Sequence, residues 1–340
     1  MNKFQQAGFT LIELMISLTL GLILVAVAIQ LLISGQVNYR IQTAASSVQD
    51  SGVFGLNAVT KNIRLANHGN VGAMNDESLY GGIVLSAQTT TGVISATPDG
   101  NLNNLKKADG STSVAGNNYI SKNANNDSAV SSYPKSDQLV IIYQAPENMV
   151  TCTGRNVKGA VRNLTTLTRG WYVVERYYIR KRNDSNEADL YCSDALFTAR
   201  GESVNQTHTV GSNTTTIAAT ETLNADYGSG GGVIAQNVEY MRVQLIVRNS
   251  DNTIATMEIN NYLALTVDND NTTATPAHRP AITGVNIGLL TRSSGTVSNG
   301  TVGTYQVLDQ SLTAPTDKYM RHVYTTTIAL RNGGLGDTIE

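Results

Sequence analysis

The chain has 340 residues, of which 41% are apolar and 15% charged, with a formal net charge of −2. That length supports one large domain or two modest ones around a sizeable core. The charge leaves no global basic field to gather phosphate backbones by counterion release, which argues against nonspecific nucleic-acid binding. The remainder is rich in Asn, Thr, Ser and Gly, which raises loop content and suits an extracytoplasmic surface.

Residues 1–8 are short and polar with one basic side chain, Lys3, whereas Phe9 to Ile33 is almost wholly apolar and holds a single charge, Glu13. As a helix this apolar run would span roughly 37 Å, enough to cross a hydrocarbon core with some tilt. Lys3 and the initiator amine precede it, so the positive-inside rule predicts a cytoplasmic N-terminus and a periplasmic remainder. A secretory signal would place its small-residue cleavage site after the apolar run. Here the small residue, Gly8, comes before it, so cleavage there would leave the hydrophobic helix on the mature protein.

The stretch Gly8-Phe9-Thr10-Leu11-Ile12-Glu13-Leu14-Met15 resembles the type IV prepilin cleavage and methylation motif. The resemblance implies that an inner-membrane aspartic peptidase cuts after Gly8 and methylates the new amine of Phe9. Glu13 is the physically informative member, because a carboxylate one helical turn into a membrane segment costs roughly 3 kcal/mol unless paired. The resemblance implies a partner, the positively charged N-terminus of a neighbouring subunit, which would set axial register as the helices pack. The alternative is a glutamate close enough to the interface to stay hydrated.

From Gln36 to His68 there is no proline, and Val37, Ile41, Ala44, Val48, Leu56, Val59, Ile63 and Ala66 recur mostly at spacings of three, four or their sums. That periodicity predicts a helical stripe, which joined to the membrane segment makes one helix of about 60 residues, roughly 90 Å. Its first half, 9–33, is apolar all round and its second, 34–68, amphipathic. Gly21, Gly35, Gly52 and Gly55 are expected places for it to bend or melt.

Beyond Gly69, residues 69–340 show short β-rich runs with no repeat and no βαβ alternation, which predicts an antiparallel sheet in a globular head. The expected strands are Gln138–Tyr143, Trp171–Arg180, Tyr240–Val247, Asn261–Val267, Ile282–Leu290 and Val323–Leu330. Polar stretches at Ser86–Ser132, Gly201–Gly232, Asp268–His278 and Ser293–Gly303 read as loops or insertions, with Gly228-Ser229-Gly230-Gly231-Gly232 as a flexible linker. Arg180, Lys181 and Arg182 read as a solvated strand edge, and Trp171, Tyr172, Tyr177 and Tyr178 as core packing rather than an exposed aromatic platform.

The two cysteines, Cys152 and Cys192, are too few for a zinc ribbon and are not spaced as a redox pair. In a periplasmic domain a disulfide is their natural state, and two separate buried thiols are the alternative. His68, His208, His278 and His322 are scattered, and neither a nucleophile elbow nor a phosphate loop is visible, so no catalytic residue, metal or cofactor is expected. Asp268-Asn269-Asp270-Asn271 offers alternating oxygens, but lacks a full calcium-loop pattern, and reads as a solvated turn before a calcium site at Asp268 and Asp270.

Six later segments narrow the family: Asn62-Ile63-Arg64-Leu65-Ala66-Asn67, Asp137-Gln138-Leu139-Val140-Ile141, Tyr177-Tyr178-Ile179 between the cysteines, Val238 to Gln244, Val285 to Ser293, and Val323 to Asn332. Together they are similar to PilW-type minor pilins. That resemblance implies an α+β, type IV pilin-like fold, with a long N-terminal helix packed on an antiparallel head that carries polar insertions. It implies a non-enzymatic subunit that helps prime pilus assembly at the tip. The implied partners are prepilin peptidase, other minor pilins, the major pilin, the inner-membrane assembly platform, a tip adhesin, and the lipid bilayer through residues 9–33, with no specific nucleic acid. A minor pseudopilin of a type II secretion system would share the same N-terminus, and a tip adhesin or DNA-binding module using the insertions is a further reading. Under that last reading, deleting Gly201–Gly232 is expected to spare piliation and abolish attachment.

Overall fold

The computed structural model describes residues 8–331 apart from 71, 88–99, 104, 111–112, 163–166, 183–186, 199–205, 219–220, 250, 267–277 and 298–302. Helix α1 runs unbroken from Leu11 to Ile63, 53 residues, or about 80 Å. Between Phe9 and Ile33 every residue is exposed except half-buried Gly21, while in the second half Ala44, Val48, Gly52, Gly55, Val59, Asn62 and Ile63 form a buried stripe. The stripe therefore lies where the 3.6-residue period put it. The helix ends one turn earlier than His68, in a tight turn in which Asn67 takes a positive φ of 66° and its side chain accepts from Gly82 N–H at 3.2 Å.

The four glycines do not interrupt α1. Gly52 and Gly55 instead let the sheets come close: a Cβ at Gly52 would lie 2.2 Å from the Tyr324 ring, and one at Gly55 would lie 2.9 Å from the Ala235 Cβ. Absence of a side chain is the requirement at both positions, and backbone bending is not.

Two antiparallel sheets face α1 and each other. In the first, β1 (Lys122–Asn126), β2 (Ser136–Gln144), β3 (Tyr172–Lys181), β4 (Ala188–Phe197) and β5 (Gly232–Ala235) pair in that order. The second is built from β6 (Val238–Arg248), β7 (Ile254–Glu258), β8 (Ala281–Thr296) and β9 (Tyr319–Ala329), in the order β7-β6-β8-β9. The α+β class expected from the sequence is the class observed.

Period-2 alternation assigns each strand face to a separate core. On β2, Leu139, Ile141 and Tyr143 join Val59 and Ile63 of α1 in the central core, together with Val285, Ile287 and Leu289 of β8. Val140 and Ile142 point the other way, into a second core with Tyr80, Leu102, Leu105, Phe197, Leu223 and Tyr227. Burial on both faces explains why this strand reads as an unbroken apolar run. A third, small core behind the second sheet holds Tyr133, Tyr240, Leu290, Val307 and Leu312.

Several sequence expectations are corrected. Of the expected strand Asn261–Val267, the described part, Asn261 to Thr266, is not a strand: Ile259–Leu263 forms the short helix α2, because Ile259 and Tyr262, three apart, both turn into the core, and Val267 lies outside the described residues. The segment 86–132 contributes Leu102, Leu105, Val114 and Tyr119 to buried packing and includes β1. Within 201–232, Ile217, Leu223 and Tyr227 are core residues, and Gln206–Val210 pairs with Asn213–Ile217 as a hairpin. Gly228 is wedged against Tyr119, and its carbonyl accepts from Arg176 at 2.7 Å, so the glycine run is a packed turn. The basic run Arg180–Arg182 ends an interior strand, and Arg182 pairs with Asp189 and Glu187.

Candidate functional site

At the N-terminal end, Gly8 and Phe9 lie ahead of the helix, fully accessible, with Phe9 88% exposed. Thr10 is the N-cap of α1, and the reciprocal bonds of a capping box tie it to Glu13: Glu13 N–H donates to Thr10 Oγ1 at 3.3 Å and Thr10 N–H donates to Glu13 Oε2 at 3.0 Å. In the isolated chain the Glu13 carboxylate thus satisfies its own helix terminus, where negative charge is favoured. α1 is the one helix among the described residues long and apolar enough to cross a membrane.

In the head, Cys152 and Cys192 form a disulfide with Cα atoms 6.2 Å apart. The loop carrying Cys152 is fastened three further times: Cys152 N–H donates to Glu175 Oε1 at 2.8 Å, and Thr153 Oγ1 and Arg155 Nε reach Asp194 at 2.5 and 3.1 Å. Glu175 and Asp194 are cross-strand neighbours of β3 and β4 on the face that also bears Cys192.

Glu175 is fully buried and also accepts from Tyr177 Oη at 2.7 Å, Asn62 Nδ2 at 3.0 Å and Tyr143 Oη at 3.3 Å. Burial pushes its carboxyl up to about 7, and these donors only partly offset that effect. Asp137, buried where β2 meets β6, is raised to about 6 by burial, opposed by Arg242 and by the N–H groups of Val243 and Ala124. Arg242 in turn bonds Asp309, whose carboxyl it holds well below the usual carboxylate range. A second network joins Arg321 to Glu239 and Asp317, and Arg292 to Glu187. These charges tie strands together at the joint between the sheets.

Trp171, Tyr172, Tyr177 and Tyr178 are all buried, and Trp171 Nε1 donates to Gln206 at 2.7 Å. The histidines stay apart: His68 meets the Gln144 carbonyl, His208 the Trp171 ring, His278 Glu77 and His322 the Tyr324 ring. Among the described residues there is no cluster of three or more metal-ligating side chains. The weak calcium candidate, Asp268 and Asp270, lies outside the described residues. The buried acids Glu175, Asp137 and Asp194 escaped sequence reasoning. Only Glu175 left a signal, a carboxylate directly after the apolar pair Val173-Val174, whereas Asp137 and Asp194 stand beside polar residues.

An open cleft of about 740 Å³ adjoins the end of α1, bounded by Asn57 to Leu65, the 146–150 segment, the Gln206–Val210 strand and Arg331. It too had no sequence signal, because its walls come from four separate segments.

Residues 176–332 match the family model described as Type IV Pilus-assembly protein W, and residues 3–29 match that of the prokaryotic N-terminal methylation motif. Among solved structures, a type IV-like pilin from Thermus thermophilus aligns at 11% identity over 58% of this chain and 78% of its own, with a TM-score of 0.25. No curated protein matches the chain. The two matched models meet the two ends of the architecture described above, the apolar helix with its methylation motif and the second sheet with the strands that lead into it. Over residues 176–332 the chain is similar to type IV pilin-like proteins of the PilW type, and residues 3–29 carry the N-terminal methylation motif.

Proposed function

We propose that the protein is a minor pilin, a non-enzymatic structural subunit that helps prime a type IV pilus at its tip. The observation that carries this reading is the fully exposed apolar half of a continuous helix, Phe9–Ile33, attached to a packed head and preceded by Gly8. In water such a surface is unstable, so it requires lipid before assembly and neighbouring helices afterwards. On this reading residues 1–8 are a leader removed by prepilin peptidase, 9–33 span the inner membrane with the N-terminus cytoplasmic, 34–68 carry the head, and 69–340 form that head in the periplasm. Once Phe9 is freed, its ammonium competes with the Thr10 cap for Glu13, and the carboxylate passes from its own helix terminus to a neighbour. The partners are then the other minor pilins, the major pilin, the assembly platform and a tip adhesin.

Mass spectrometry of sheared surface fibres tests the proposal. A peptide beginning at N-methylated Phe9 is expected in the fibre fraction; material beginning at Met1 and confined to the membrane would overturn it.

A further inference from the structure

The cleft at the end of α1 combines features that separate elements bring together. Lys61 and Arg64 reach it from the helix and Arg331 from the end of β9, and Arg331 N–H donates to the Arg64 carbonyl at 3.4 Å. Beside them lies an apolar strip of Leu65, Met149 and Val150, with Val150 50% exposed. Among the described residues none of these three cations has a carboxylate partner, whereas Arg155, Arg182, Arg242, Arg279, Arg292 and Arg321 all do. Among the described lining residues Glu147 is the only acidic one. A cation in the last turn is favourable against the helix terminus, which accounts for Lys61. It accounts neither for Arg331, which arrives from the last strand, nor for the apolar strip. The excess of positive charge is also local, since the whole chain carries −2.

We propose that this cleft docks an extended acidic segment of a neighbouring polypeptide in the fibre. Its carboxylates would face Lys61, Arg64 and Arg331, and its branched apolar side chains would cover Leu65, Met149 and Val150. The inference rests on the reading of the chain as a fibre subunit and names the chemistry of one partner. A rival occupant is residues 332–340 of the same chain, which follow Arg331 and include Leu335, Asp337, Ile339 and Glu340.

The test is fluorescence anisotropy of the full chain in neutral detergent micelles, with a labelled hexapeptide of alternating Glu and Leu and a control of alternating Lys and Leu. The acidic probe is expected to bind with Kd of roughly 10 to 100 μM, as a few exposed charge pairs and a small apolar contact allow. Binding is expected to weaken on raising the salt from about 0.15 to about 1 M, as screening shortens from about 8 to about 3 Å. The double variant Lys61→Glu, Arg64→Glu, both side chains being exposed, should lose at least about tenfold in affinity while unfolding at the parent temperature; Lys61→Gln, Arg64→Gln gives the same readout without charge reversal. Equal binding of the two peptides, or undiminished binding by both double variants, overturns the proposal. Binding that appears only after deletion of 332–340 also overturns it, in favour of the chain's own tail. Methylated Phe9 in sheared fibres is read independently, so failure of the docking site and failure of the pilin reading are told apart.

Discussion

Gly52 sets two opposing effects against each other within one residue. Alanine in a helix interior is worth about 1 kcal/mol over glycine, yet the added methyl would overlap the Tyr324 ring, 2.2 Å from its nearest atoms. Overpacking of this kind costs about 1–3 kcal/mol, so Gly52→Ala should be neutral to destabilising in the parent. With the ring removed by Tyr324→Ala, the same substitution should stabilise by about 1 kcal/mol. A double-mutant cycle by denaturant unfolding reads the reversal, and additive effects would refute the close approach. Glu175 makes the second residue-level prediction. Its folded carboxyl titrates near 7 and that of Asp137 near 6, both above their unfolded values of roughly 4.3 and 3.9. The native state therefore holds more protons than the unfolded chain between about pH 4 and 7, and stability falls as pH rises through that window. Below it, stability falls again as Asp309 and Asp317, held low by Arg242 and Arg321, become protonated. Glu175→Gln should flatten the decline between pH 5 and 8, measured as the denaturation midpoint at each pH.

At the scale of elements, α1 is two helices in physical terms, one made for an apolar solvent and one for a protein face. The capping box at its start lets Glu13 close the helix in the free chain, and the proposed fibre would add a second role, pairing with an amine. Glu13→Val removes both. Loss of the reciprocal cap costs about 1 kcal/mol of helix-terminal stability, while removal of a charge from the apolar segment favours insertion by about 3 kcal/mol. Membrane insertion and cleavage at Gly8 are therefore expected to persist, with recovery in sheared fibres strongly reduced, as read by immunoblot of membrane and fibre fractions. Among the strands, β2, β3, β6, β8 and β9 were legible because apolar alternation or an unbroken apolar run marks them. β4 was not, since Asp189, Ser193 and Asp194 break its pattern. The two aspartates are buried with partners, Asp189 paired with Arg182, and Asp194 with Arg155 and Thr153, which arrive from outside the strand.

For the molecule as a whole, the disulfide spans 40 residues, a loop whose closure is worth roughly 4 kcal/mol on the chain-entropy account. Cys152→Ser, Cys192→Ser should therefore lower the thermal midpoint by several degrees, and reductant should shift the parent towards the variant without affecting the variant itself. The same molecule-wide packing changes how the 201–232 segment should be probed. Deleting Gly201–Gly232 would strip Ile217, Leu223 and Tyr227 from the core, and would cut into β5. Loss of attachment after that deletion would report misfolding as readily as loss of a ligand site. Point changes at exposed Thr207, Thr209 or Thr214 on its hairpin avoid the difficulty.

Sequence by itself determined the apolar run, the glycine ahead of it, the lone Glu13, the helical stripe and the strands with clear period. Each is a local pattern whose physical meaning needs no distant residue. Only the tertiary structure decided that Gly52 and Gly55 are contact points, that Glu175 gathers donors from α1, β2, β3 and the cysteine loop, and that Lys61, Arg64 and Arg331 share one cleft. Those facts depend on which segments meet in space, and single-chain periodicity carries no information about which partners another element brings.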